Sequence, residues 1–125
     1  MSLNFKKITI IGLGLIGTSI LHAINTKEED EVITFAYDIN SEHRDIVGQM
    51  KIATFVCDDI EDAVKEADLV ILAVPVGAMK TVASLIAPHL KKGAIVTDTG
   101  STKESVISDV KPCIPNNVHF IPSHP

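Results

Sequence analysis

The run GLGLIG sets Gly12, Gly14 and Gly17 in the spacing G-x-G-x-x-G, directly after the apolar, β-branched run KITII. In that setting the spacing handles phosphate through the backbone. The first glycine permits a tight turn, the second lets the chain approach a pyrophosphate, and the third lets a helix pack closely on the strand. The helix that starts there adds amide donors and the positive end of its dipole. Leu15 and Ile16, between the second and third glycines, complete the candidate cofactor turn. The competing reading is a glycine-rich turn with no ligand. It is the weaker one, because a strand, a helix and a downstream acid all stand where a dinucleotide site needs them.

That acid is Asp38, at the end of the run EVITFAYD and about 20 residues beyond the glycines. A carboxylate there accepts hydrogen bonds from ribose hydroxyls and repels a 2′-phosphate, which favours NAD over NADP. His43 and Arg44 follow closely and are placed to soften that choice. The segment DIN is also turn-like in its own right, so a plain turn aspartate is the alternative.

Three further stretches end at the same point of the alternation. AVPV, residues 73–76, offers Ala73, Val74 and Pro75 as a thin wall beside a cofactor, and equally reads as a strand end followed by a helix-starting proline. VTDTGSTK, residues 96–103, puts Ser101 and Thr102 where they are either helix caps or hydroxyls for a substrate. His124 lies just past the last strand, and an imidazole suits proton transfer near neutrality. His22, His43, His89 and His119 fall on helix or strand positions and read as solvated or structural.

The elements that must position these residues alternate along the whole chain. Strands are expected from Lys7, over EVITFAYD, ATFVC, DLVILAVP and AIVTDTG, and last over VHFIP. Between them the sequence predicts a helix with an Ile16, Ile20, Ile24 stripe, one over SEHRDIVGQM with Ser41 as N-cap, and one over DIEDAVKEA with Ile60, Ala63, Val64 and Ala67 on one face. Two more follow over AMKTVASLIAPHL, where Pro88 is expected to kink or shorten the end, and over TKESVISDV. Such alternation predicts an α/β fold: a doubly wound, parallel, six-stranded Rossmann-type sheet with helices on both faces, in one domain over residues 1–125.

Composition narrows the partners. Sixteen acidic against 11 basic residues give a net charge of −5 with no long basic run, which argues against nucleic acid and anionic membrane and for a small-molecule ligand. No apolar run reaches the ~20 residues of a membrane span, and the start MSLNFKK is not a secretory signal. Cys57 and Cys113 have no metal-like spacing, so no metal is expected and a cytoplasmic, reducing location is.

Taken together, GLGLIG, LAVPV, VTDTGSTK and the final SHP, in this order, resemble the prephenate and arogenate dehydrogenases of tyrosine biosynthesis, over essentially the whole chain. The resemblance implies NAD-dependent oxidative decarboxylation of prephenate to 4-hydroxyphenylpyruvate, or of arogenate to tyrosine. It gives His124 the role of hydrogen-bond acceptor for the ring hydroxyl, and Ser101 that of positioning the substrate. It also implies a second, helical domain, absent from these 125 residues, that forms a homodimer and supplies polar groups to the substrate. The chain is therefore expected to be the cofactor domain of a longer enzyme, binding NAD but turning over little alone. The competing readings are a β-hydroxyacid dehydrogenase, an imine reductase, and a non-catalytic NAD-sensing module.

Overall fold

A computed structural model describes residues 5–25, 32–99 and 103–122. The strands are β1 (Lys7–Ile11), β2 (Ile33–Tyr37), β3 (Phe55–Val56), β4 (Leu69–Leu72), β5 (Ile95–Asp98) and β6 (His119–Phe120). The helices are α1 (Leu15–Asn25), α2 (Ser41–Met50), α3 (Ile60–Val64), α4 (Val76–Ile86) and α5 (Lys103–Val110). Two 3-10 turns, Ala87–His89 and Lys111–Cys113, follow α4 and α5. All pairings are parallel and the order is β3-β2-β1-β4-β5-β6, as the alternation predicts.

The two-residue period of the strands sorts the core into two layers. Ile8 and Ile10 of β1 join Leu21, Ala36 and Val47 under α1 and α2. Ile11, Val70, Leu72 and Val96 join Met79, Ala83, Ile86, Val106 and Val110 under α4 and α5. Thr9, on that second face, is fully buried and donates its hydroxyl to the Ala63 carbonyl at the end of α3. The near-continuous apolar runs of β1 and β4 are thus those of strands covered on both faces.

Several expectations are corrected in detail. Asn40, not Ser41, caps α2: its backbone is extended and its side chain accepts from the Glu42 amide. The face of α1 that meets the sheet is Gly17 and Leu21, flanked by Ile20 and Ile24, while Ile16 is turned outward. α3 ends at Val64, and Ala67 reaches the core only after Glu66 takes a left-handed conformation at φ 60°. β4 stops at Leu72, so Pro75 does not close the strand but precedes the first residue of α4. Pro88 does shorten α4, which gives way to a 3-10 turn at Ala87. No described helix is long and apolar enough to cross a membrane.

Candidate nucleotide site

One register sets the carboxyl edge of the sheet. Ile11 pairs with both Tyr37 and Leu72, and Leu72 pairs with Asp98. The ladder runs one step further: Gly12 donates to the Tyr37 carbonyl, Ala73 to that of Ile11, and Thr99 to that of Leu72. Gly12, Asp38, Ala73 and Thr99 therefore emerge side by side, between the strands whose connections run to opposite faces. Ligands of open parallel sheets sit at such a switch point.

The three glycines differ in what they face. Gly12 has φ +103°, and a Cβ there would lie 2.7 Å from the backbone of Ala73. A Cβ on Gly17 would lie 1.8 Å from the Gly12 carbonyl oxygen, so α1 could not sit as close to β1. Among the described residues, nothing lies within 4 Å of that position at Gly14. The fold therefore requires glycine at 12 and 17, whereas the space beyond Gly14 is open.

That space is a cleft of about 790 Å³, in the range of small-molecule sites. Gly12, Gly14, Leu15 and Ile16 line one side, where the first-turn amides of α1 lack intrahelical acceptors. Ala73, Val74, Pro75 and Thr99 line another. Ile39, Ile60, Val82 and Leu85 make an apolar wall. Leu15, at the start of α1, and Ile39, in the turn after β2, are 85% and 86% exposed and both line the cleft. Clustering of exposed apolar side chains around one cavity marks a place where something docks.

Asp38 stands at its rim with a side chain only 13% exposed. Its Oδ2 accepts from the Leu13 amide at 2.7 Å and lies 3.2 Å from His43 Nδ1, and its Oδ1 accepts from the Asn40 amide at 2.8 Å. Burial pushes the carboxyl up, but the Leu13 and Asn40 amides and the His43 ring outweigh it and hold Asp38 below the usual carboxylate range. It is an anion fixed in place. A carboxylate has about four lone-pair sites, so with these three contacts Oδ1 keeps room for a hydroxyl donor from the cleft.

The nine cofactor candidates Gly12, Gly14, Leu15, Ile16, Gly17, Asp38, Ala73, Val74 and Pro75 gather at this edge, all lining the cleft except Gly17, which packs beneath it. Ser101 and His124 lie outside the described residues. Sequence reasoning missed Leu13, which anchors Asp38, and the wall of Ile39, Ile60, Val82 and Leu85. A signal existed for part of it: Ala78, Val82 and Leu85 form a second apolar stripe on α4, beside the buried Met79, Ala83 and Ile86. His43, read as a neighbour of Asp38 and as solvated or structural, has a side chain 43% exposed, touches Asp38 and borders the cleft.

A parallel sheet in this order with a glycine turn at its switch point defines a Rossmann-type nucleotide-binding domain. More narrowly, the chain belongs to the family described as the nucleotide-binding domain of prephenate dehydrogenase, whose model matches residues 22–125. It is 48% identical over 121 residues to a cyclohexadienyl dehydrogenase of Zymomonas mobilis, covering 97% of this chain and 41% of that one. It is 35% identical over 125 residues to the prephenate dehydrogenase of Lactococcus lactis, covering 96% and 34%. The crystal structure of prephenate dehydrogenase from A. aeolicus in complex with hydroxyphenyl propionate and NAD+ superposes with a TM-score of 0.85 at 26% identity, over 100% of this chain and 43% of that one. The chain thus spans less than half the length of these relatives.

Proposed function

We propose that this chain holds NAD for the oxidative decarboxylation of a cyclohexadienyl acid, prephenate in the first instance. The observation that carries the reading is the junction of Asp38 with the glycine turn, together with the open space beyond Gly14. In this reading the pyrophosphate lies on the first turn of α1 at Gly14, Leu15 and Ile16, held by backbone amides. Asp38 accepts from an adenosine ribose hydroxyl, and the adenine rests between Ile39 and the Val82 and Leu85 side of α4. Ala73, Val74, Pro75 and Thr99 flank the nicotinamide half.

When bound, NAD supplies a two-electron acceptor for the hydride of the hydroxyl-bearing ring carbon. The chain's own residues orient and exclude water, because loss of the ring carboxylate as CO2 and aromatisation drive the reaction. His124 accepts a hydrogen bond from the ring hydroxyl and Ser101 positions the ring, roles that rest on the family likeness. The likeness to a cyclohexadienyl dehydrogenase supports arogenate as a second substrate of the same class. The same likeness supports a cytoplasmic, dimeric working enzyme whose substrate site is completed by a second, helical domain.

The test is a calorimetric titration with NADH, followed by assay with prephenate and with arogenate of the chain alone and of the longer protein that contains it. Saturable one-site binding, with turnover only in the longer protein, is expected. No binding of NADH would overturn the cofactor reading. Binding without turnover of either substrate in the longer protein would favour a sensing role.

A further inference from the structure

By position, just after the strand-end acid, Arg44 is the side chain that could accommodate the 2′-phosphate of NADP. The structure puts its guanidinium elsewhere. Nη1 donates to the Asp38 carbonyl at 2.7 Å and to the Ile39 carbonyl at 3.3 Å. The guanidinium carbon lies 5.8 Å from the centre of the Tyr37 ring, and Nε faces Asp58 Oδ1 at 3.5 Å. The side chain is 18% exposed and does not border the cleft, whereas its neighbour His43 does. The guanidinium therefore backs the turn whose front presents the Asp38 carboxylate and the Ile39 side chain.

We infer that Arg44 is a positioning residue that enforces the choice of NAD over NADP by clamping the Asp38 and Ile39 carbonyls, and is not a ligand for a 2′-phosphate. The inference rests on the proposed NAD site. Two successive carbonyls converging on one Nη1 fix the peptide planes on either side of Ile39. Those planes set where the Asp38 carboxylate and the Ile39 side chain point. To reach a phosphate in the cleft, the guanidinium would have to abandon both carbonyls, leaving them without that donor. A lysine in its place brings an equal charge, but its shorter, more flexible stem must carry one ammonium to the position that Nη1 holds, so it keeps the two carbonyls less firmly.

The experiment measures Kd for NADH and for NADPH on the wild-type chain and on Arg44→Ala and Arg44→Lys, with thermal melts to confirm folding. The wild type is expected to prefer NADH. Arg44→Ala is expected to weaken NADH about tenfold, the equivalent of one or two lost hydrogen bonds, while NADPH changes less than about twofold. Arg44→Lys, the variant less prone to unfold, is expected to shift the ratio in the same direction by about threefold. A larger loss of NADPH than of NADH in either variant would make Arg44 a phosphate ligand and overturn the inference. Equal weakening of both cofactors would reduce Arg44 to a fold support and also overturn it. Failure of the wild type to bind NADH at all is seen before any variant is made, and it would overturn the site reading itself and this inference with it.

Discussion

The amide of Leu13 donates to Asp38 Oδ2 at 2.7 Å, so the acid that ends β2 and the turn that ends β1 are one unit. Asp38→Asn keeps the shape but removes the charge and one acceptor. It is expected to weaken NADH about tenfold, read by titration. Its effect on stability has a defined pH sense. The folded carboxyl is held below its ordinary value, so its contribution is present above about pH 4 and is lost as pH falls through the folded value. Melting curves of wild type and Asp38→Asn should differ at pH 7 and draw together as pH falls below about 4.

The glycines separate fold from ligand. Gly12→Ala and Gly17→Ala put a Cβ against backbone at 2.7 and 1.8 Å, and each is expected to cost about 3 kcal/mol or more in urea unfolding. Gly14→Ala meets open space. It is expected to leave stability within about 0.5 kcal/mol, as harmless surface changes do, and to weaken NADH at least tenfold. A Gly14→Ala chain that binds NADH normally would mean that the pyrophosphate does not lie there.

At the opposite edge of the sheet, Asp68 Oδ2 accepts from the Lys6 and Lys7 amides at 2.7 and 3.0 Å, and Oδ1 pairs with Lys91. Burial pushes this carboxyl up, but Lys91 and the Lys7 and Lys6 amides outweigh it and hold it at about 2. Asp68→Asn is expected to cost about 2 kcal/mol at pH 7. Because the folded value lies below the unfolded one, wild type and variant should draw together as pH falls from about 4 towards 2, with no effect on NADH affinity.

Ile39 touches no core cluster yet borders the cleft. Ile39→Ser is expected to leave the melting temperature unchanged and to weaken NADH about fivefold, the worth of partial burial of one aliphatic side chain. An unchanged affinity would place the adenine away from the Ile39 wall.

Much of this was legible in the sequence, and the exceptions share a cause. The parallel interior could be read from KITII and LVIL, and the switch-point site from Gly12, Gly14, Gly17 and Asp38, because periodicity and spacing encode backbone geometry directly. The helix cap was missed by one residue because Asn40 and Ser41 are both capping types. Only the extended backbone of Asn40, φ −82° and ψ 114°, decides between them. Arg44 and His43 were read together as neighbours of Asp38, yet one points behind the turn and the other borders the cleft. Side-chain direction within a helix's first turn depends on torsions that residue type does not specify. The Ile39 wall was missed because an exposed isoleucine in a turn looks incidental until the α4 stripe facing the same cleft is seen.

The open space beside Gly14 also makes that position a record of use. Glycine at 12 and 17 is imposed by the chain on itself and would persist in any descendant that merely folds. Among the described residues nothing polices position 14, so a lineage that abandoned its nucleotide would be free to drift there first. Read across relatives, a side chain at 14 beside intact glycines at 12 and 17 would mark a domain retired from redox work while still whole.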